Sequence, residues 1–208
     1  MLKLHVFPGS PRAQKVLAVA HQLELPFEQI YVDLSKGDHK TPAFLKLNPN
    51  GRMPVLEDGE FVLWESDAIV QYLASKKPGT LTPSDDKGRA LMAQWMSWNM
   101  ADWDKCVAIL MFEYIVKGFF RQLPPDPERA QEGADKLTVA AKVLDQHLAS
   151  HTYVLGDTLS VVDFALAMPL RFAPAWKYSL APFPHLERWL GLIQATDGWK
   201  KSAPAPRG

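Results

Sequence analysis

Residues 48–66, NPNGRMPVLEDGEFVLWES, decide how the first third of this sequence folds. Residues 48–51 combine Asn, Pro and Gly, a composition that is typical of a turn. Two short apolar runs, 54–56 and 61–64, lie on either side of Asp58-Gly59, a dipeptide that favours tight hairpins. The stretch therefore predicts a turn followed by two antiparallel strands.

The residues before this stretch predict a β-α-β unit. Leu2, Leu4 and Val6 alternate with polar residues, which is the pattern of a strand, and residues 27–32 form a second strand pattern. A helix is predicted between them, over residues 13–23. Because parallel strands need a crossover of this kind, the two strands are expected to pair in parallel.

Two more helices complete the pattern of the first third. Thr41 and Pro42 are a cap residue followed by a proline, and they open a short helix that runs through Leu47. Ser66 is expected to cap a third helix in the same way, and Asp67 suits the positive end of that helix. The predicted order of elements is βαβαββα.

The composition changes after residue 77. Residues 78–87 are rich in Pro, Gly, Ser, Thr and charged residues, which predicts a linker between an α/β domain over 1–77 and a second domain over 88–208. The second domain has helical spacing and is predicted to be all-α. Its expected helices and frayed tail are 90–120, 130–148, 159–170, 185–193 and 202–208.

The composition as a whole is that of a globular protein with balanced charge. Of 208 residues 47% are hydrophobic, and the 23 basic residues equal the 23 acidic ones, which argues against a nucleic-acid partner. We find no signal peptide and no apolar run of membrane-spanning length, so no membrane partner is expected. The single cysteine, Cys106, fits a reducing, cytoplasmic location, and the lack of clustered Cys and His predicts no metal site.

Ser10 opens the first helix within FPGSPRAQKVLAVA, residues 7–20. Its local pattern is that of a cap, with Pro11 at the first helical position, where a missing N–H costs nothing. The alternative is a hydroxyl that takes part in chemistry. The local pattern alone favours the cap.

Two longer motifs resemble those of the cytosolic glutathione transferases, and the resemblance covers essentially the whole chain. NPNGRMPVLEDG followed by WES is similar to the glutathione-site signature of that family. GDTLSVVDFALA, residues 156–167, resembles the family's buried capping motif, in which Ser160 caps a helix and Asp163 reaches back. The resemblance implies a thioredoxin-like N-terminal domain, an all-helical C-terminal domain, a homodimer and a role in detoxification.

The resemblance also implies a catalytic role for Ser10. It matches the catalytic hydroxyl of serine-type members, with a spacing similar to the phi-type pattern, and would stabilise the thiolate of glutathione. A residue at the mouth of a helix can both start the helix and face an anion, so the two interpretations are compatible. Residues 10–13 lack the Cys-x-x-Cys that thioredoxin-like folds commonly carry here, which argues against disulfide exchange with protein thiols.

The other groups of glutathione, as co-substrate, have their own implied partners. Glu65 would pair with the ammonium group, and Ser66 would take the γ-glutamyl carboxylate. Met53-Pro54 resembles the dipeptide before a cis-proline in this fold, and the Met53 backbone would then pair with the cysteinyl backbone; the alternative is that Pro54 simply starts a strand. The candidates for the glycyl carboxylate are His39, Lys40 and Arg52.

The second substrate is expected in an apolar pocket between the domains, although aromatic residues at helical spacing also suit a core. The candidate lining residues are Phe7, Pro11, Trp103, Met111, Phe112 and Tyr114. The expected function is attack by the glutathione thiolate on a small hydrophobic electrophile or a hydroperoxide. The alternatives are a glutathione-dependent disulfide reductase or dehalogenase, and a non-catalytic glutathione-binding or regulatory member of the family.

Overall fold

The computed structural model describes residues 1–204 in two compact units. One unit contains Met1–Thr82 together with residues 194–204, and the other is Pro83–Ile193. The second domain was predicted over 88–208, whereas residues 194–204 cluster with the first unit in the structure. The last four residues of the predicted frayed tail, 205–208, lie outside the described residues.

The first unit contains a four-stranded sheet in the order β2-β1-β3-β4. The strands are β1 (Leu2–Val6), β2 (Phe27–Tyr31), β3 (Val55–Asp58) and β4 (Phe61–Trp64). As predicted, β1 and β2 are parallel, while β3 is antiparallel to both β1 and β4. The turn between β3 and β4 contains Gly59 at a φ of +61°, a conformation that favours glycine.

Helices follow the strands in the predicted order and continue through the second unit. They are α1 (Pro11–Gln22), α2 (Pro42–Leu47), α3 (Ser66–Ser75), α4 (Asp86–Trp98), α5 (Asp104–Met111), α6 (Pro127–Leu148), α7 (Val161–Ala167), α8 (Pro184–Ala195) and α9 (Asp197–Lys201). Short 3₁₀ helices cover Asp38–Lys40 and Met168–Phe172. Within residues 1–204 no helix is long and apolar enough to cross a membrane.

The helix predicted over 90–120 is a succession of helical segments. It begins earlier, at Asp86, because the Asp85 side chain accepts a hydrogen bond from the Gly88 N–H. Two π-helical segments, Asn99–Trp103 and Phe112–Arg121, interrupt the α-helical pattern. Helix α6 begins before the predicted residue 130, because Pro127 occupies its first turn after the cap Asp126.

Helix α1 is buried on nearly all sides rather than on one face. It packs against α3 and α9, and residues 13–20 are buried, including the polar Gln14 and Lys15. Helix α9 approaches closely because Gly198 lacks a side chain, and a Cβ there would collide with the Ala18 carbonyl oxygen. The Gly198 N–H also donates to Gln22 Oε1 at 3.0 Å.

The core of the second unit is organised around the buried carboxylate of Asp163. Its Oδ2 accepts hydrogen bonds from the Ser160 N–H at 2.8 Å and from the Ser160 hydroxyl at 2.7 Å. Its Oδ1 accepts from the Val154 N–H at 2.9 Å and from Trp189 Nε1 at 2.8 Å. Burial raises the pKa of Asp163, and the four hydrogen bonds oppose that shift because they favour the ionised form. The predicted capping motif is therefore confirmed, and it also joins two segments that the sequence did not link to it.

Candidate functional site

Ser10 is the N-cap residue of α1, with Pro11 in the first turn. Its backbone N–H donates to the Phe7 carbonyl at 2.9 Å, and its own carbonyl accepts from the Gln14 N–H at 2.9 Å. The Ser10 side chain is half-buried and makes no capping hydrogen bond to any residue that the structure describes. The backbone therefore starts the helix, and the hydroxyl stands at its positive end.

Two contacts hold the segment that leads into Ser10. The buried Gln14 donates from Nε2 to the Pro8 carbonyl at 2.8 Å, which fastens the first turn of α1 to the preceding loop. The Phe7 ring packs over Gly9 and lies 6.1 Å from the ring of Tyr31. The predicted lining residues Phe7 and Pro11 are both half-buried at this point.

The turn before β3 is organised by Asn48, which is buried. Asn48 Nδ2 donates to the Arg52 carbonyl at 2.6 Å, while Asn48 Oδ1 accepts from the N–H and side chain of Asn50. The peptide bond between Met53 and Pro54 is cis. This turn sets the backbone of Met53 at the start of β3, and the Arg52 side chain remains exposed.

The 3₁₀ helix with His39 and Lys40 lies beside the same turn. A Cβ on Gly51, whose φ is +60°, would stand 3.1 Å from the His39 carbonyl oxygen. The three residues predicted for the glycyl carboxylate therefore come from two adjacent loops. Lys40 is exposed, whereas His39 is half-buried and its Nδ1 has no hydrogen-bond partner among the described residues.

Helix α3 begins one residue earlier than predicted. Glu65 is its N-cap, with φ +71° and ψ 114°, and Ser66 is the first helical residue. The expectation that Ser66 caps the helix is therefore wrong. Ser66 is buried against the N-terminus of α3, while the Glu65 side chain is exposed. The positive N-terminus of α3 therefore begins directly after Glu65.

A buried ion pair joins α1 to α3 behind these two helix N-termini. Lys15 Nζ donates to Asp67 Oδ1, and the two side chains are only 5% and 11% exposed. The Asp67 carbonyl also accepts a hydrogen bond from Gln71 Nε2 at 2.9 Å. The structure thus connects the element that carries Ser10 to the element that begins at Ser66.

The remaining predicted pocket residues belong to the second unit, and one of them is misassigned. Trp103 is 0% exposed and its Nε1 donates to the Leu166 carbonyl at 3.1 Å. It lies in the core because its indole satisfies its hydrogen bond there, and it has no surface that a ligand can reach. Met111 is buried as well, whereas Phe112 and Tyr114 are half-buried.

Sequence reasoning missed three side chains that shape the site, namely Gln14, Lys15 and Asn48. Lys15 lies in an otherwise apolar stretch of α1, and an opposite charge opens α3, but these signals are weak without a contact between the helices. Asn48 gave only a general turn signal. Among residues 1–204 no group of three His, Cys, Asp or Glu side chains could hold a metal ion.

The first unit has a mixed four-stranded sheet, and two of its helices begin at the candidate site. The second unit is all-helical. Together these features define a thioredoxin-like two-domain protein. The sequence matches the models for the glutathione S-transferase N-terminal domain over residues 1–75 and the C-terminal domain over residues 107–195. The family models thus cover the larger part of each structural unit.

Individual relatives are similar over nearly the full chain. A glutathione S-transferase from Hyoscyamus muticus is 32% identical over 97% of this chain and 97% of its own length. Glutathione S-transferase 3 from Zea mays is 34% identical over 98% of this chain and 94% of its own. The crystal structure of glutathione transferase F7 from Populus trichocarpa has a TM-score of 0.89 at 30% identity, covering 98% of both chains. The chain belongs to the glutathione S-transferase family.

Proposed function

We propose that this protein is a glutathione transferase in which Ser10 stabilises the thiolate of bound glutathione. The observation that carries the proposal is the Ser10 hydroxyl, which stands at the N-terminus of α1 and makes no capping bond within the described chain. A hydroxyl that is not used by its own helix is available to donate to an anion. The serine-type, phi-like assignment rests on this residue.

The chemistry follows from the acidity of the thiol. A cysteine thiol has a pKa of about 8.5, so most of it is protonated at neutral pH, while the nucleophile is the thiolate. A donated hydrogen bond and a helix N-terminus both favour the anion and lower the pKa. The thiolate then attacks an electrophilic carbon, a C–S bond forms and the leaving group departs with its electron pair. With a hydroperoxide the thiolate attacks one oxygen, an S–O bond forms as the O–O bond breaks, and the departing oxygen takes up a proton and leaves as the alcohol.

The other contacts are assigned by matching each charge of glutathione. Ser66 and the N-terminus of α3 take the γ-glutamyl carboxylate, and the exposed carboxylate of Glu65 pairs with the ammonium. The backbone of Met53, before Pro54, pairs with the cysteinyl backbone as an added strand. Two adjacent segments supply N–H donors for the glycyl carboxylate, and these are His39, Lys40 and Arg52.

The second substrate is a small hydrophobic electrophile. Half-buried aromatic and proline side chains suit such a compound, because apolar pockets with few polar groups bind small molecules well. The residues proposed to contact it are Phe7, Pro11, Met111, Phe112 and Tyr114. From the family we also propose a homodimer, a cytoplasmic location and a role in detoxification.

The test is the ultraviolet absorbance of the glutathione thiolate bound to the protein, titrated with pH. The natural chain should hold thiolate at neutral pH. In Ser10→Ala the midpoint should rise by about one to two pH units, which is the range expected from one hydrogen bond to a charged group. Ser84→Ala, which removes an exposed hydroxyl on a loop, is the matched control and should not move the midpoint.

Two results would contradict this proposal. An equal midpoint in the natural chain and in Ser10→Ala would leave Ser10 as a cap without a role in chemistry. Bound glutathione with no thiolate at neutral pH would indicate a carrier or a regulatory relative rather than a transferase.

A further inference from the structure

The ion pair between Lys15 and Asp67 is unusual because it is almost completely buried. Each side chain keeps at most about a tenth of its surface exposed, and they belong to different helices, α1 and α3. Taking two charges out of water is costly, and a buried ion pair adds little net stability over a well-packed apolar pair. The pair therefore calls for an explanation other than stability.

The position of the ion pair between Lys15 and Asp67 suggests an explanation. Lys15 lies within the second turn of α1, a short distance along the helix from Ser10. Asp67 follows Glu65 and Ser66 directly and lies in the first turn of α3. The ion pair thus joins the two helices close to the ends that carry the proposed site, and the buried residues of α3 beyond Asp67 are all apolar.

The geometry of an ion pair differs from that of an apolar contact. Apolar side chains attract each other without a preferred direction, so helices that pack only through them can slide or rotate with little loss. A buried lysine and aspartate must keep their charged atoms in contact, because separation leaves an uncompensated charge in the interior. Such a pair fixes the register of α1 on α3.

We propose that Lys15 and Asp67 are positioning residues that hold the thiolate site at Ser10 in register with the γ-glutamyl site at Glu65 and Ser66. The inference rests on the proposed function. One glutathione molecule has to satisfy both sites at once, so their separation decides whether its thiol reaches Ser10 when its γ-glutamyl group is bound. Small errors in such placement have large effects on rate.

The experiment compares variants that remove one charge with a variant that removes both. Lys15→Met and Asp67→Asn each break the pair, and Lys15→Met/Asp67→Leu replaces it with an apolar contact that leaves no charge unpaired. We expect kcat/KM for glutathione and a standard aryl halide to fall by about ten- to a hundredfold in all three. The pH midpoint of the bound thiolate should rise in all three as well.

Two controls on the same helix separate positioning from stability. Lys76→Met breaks the ion pair between Lys76 and Asp58 at the opposite end of α3. Val70→Ala creates a small cavity in the buried face of α3 and so destabilises the unit without touching the pair. Both should keep kcat/KM and the thiolate midpoint of the natural chain at temperatures where the protein is folded.

The double variant is the decisive one, because it leaves no unpaired charge in the interior and so avoids the main cause of unfolding in the single variants. If it is stable but has the lower kcat/KM and the higher midpoint, the pair sets the register. If kcat/KM and the midpoint equal those of the natural chain, the pair is structural only and the inference is overturned. The natural chain and Ser10→Ala are measured beside it, so a failure of the proposed function appears as absent thiolate in the natural chain itself.

Discussion

Ser10 and Ser160 both precede a helix, and they use their hydroxyls differently. The third helical position after Ser160 is Asp163, whose carboxylate accepts the Ser160 hydroxyl at 2.7 Å. The third helical position after Ser10 is Ala13, whose side chain offers no acceptor, and the Ser10 side chain makes no capping hydrogen bond within the described chain. The residue three positions into the helix therefore separates a structural serine from one available for chemistry.

Asp163 gives the prediction at this scale. Asp163→Asn turns one acceptor oxygen into a donor, so two of the four N–H and O–H groups around it lose their partner. A buried donor without an acceptor costs about 1–3 kcal/mol, and we expect the free energy of unfolding to fall by about 3 kcal/mol. Urea denaturation measures this change, and the turnover of the folded fraction should persist.

The control for this variant is Asp157→Asn in the loop before α7, where the side chain is exposed. It should change the free energy of unfolding by less than about 0.5 kcal/mol. An equal loss of stability in both variants would mean that the buried hydrogen bonds of Asp163 are not what stabilises this segment.

Single residues also mark the limit of prediction from sequence. The capping motif of Ser160 and Asp163 was predictable because its partners lie three residues apart. The core position of Trp103 was not, because an aromatic residue at helical spacing suits a core and a pocket equally until its neighbours are known. The contact between Lys15 and Asp67 was missed for the same reason, since its partners lie far apart in the chain.

At the scale of elements, the order βαβαββα followed from local patterns of alternation, helical spacing and turn residues. The burial of α1 on nearly all sides did not, because it depends on α9, which covers only Asp197–Lys201. A helix this short carries no usable periodicity. Its docking depends on Gly198, which the sequence gives no reason to place against α1.

Gly198→Ala tests that docking. The added methyl group meets the Ala18 carbonyl of α1 at a distance that no real Cβ adopts, so α9 must shift away. We expect the free energy of unfolding to fall by about 1–3 kcal/mol, the usual effect of overpacking. Hydrogen exchange in α9 should become faster in this variant.

Gly191→Ala is the matched control, because a Cβ at this position of α8 has open space. Alanine has the higher helix propensity, so this variant should be as stable as the natural chain or gain up to about 1 kcal/mol. If Gly198→Ala behaves in the same way, the close approach of α9 to α1 does not contribute to stability.

At the scale of the whole molecule, the first unit is built from two separated parts of the chain. The change in composition near residue 78 is a local signal that predicts two domains, and the structure divides between Thr82 and Pro83. The return of residues 194–204 to the first unit had no local signal, because it arises from packing against α1. The first unit is therefore complete only when the chain has passed through the second.

The midpoint temperature of thermal unfolding, Tm, of the whole chain can be used to measure glutathione binding. A ligand that binds only the folded protein stabilises it by about 2.7 kcal/mol at a hundred times its Kd. For a chain of this length that corresponds to a rise in Tm of about 5–10 °C. We expect such a rise for the natural chain and for Ser10→Ala, because Ser10 is assigned to the chemistry of the thiol rather than to affinity.

Two further variants test whether the Tm shift comes from the proposed contacts with glutathione. Ser66→Ala should lose most of the shift, because Ser66 is assigned to the γ-glutamyl carboxylate. Asp163→Asn should have a lower Tm without ligand but the same shift, because Asp163 stabilises the second unit and lies outside the proposed contacts. If millimolar glutathione leaves the Tm of the natural chain unchanged, glutathione is not bound and the transferase proposal fails at its first step. If Asp163→Asn loses the shift while Ser66→Ala keeps it, the contacts with glutathione have been assigned to the wrong unit.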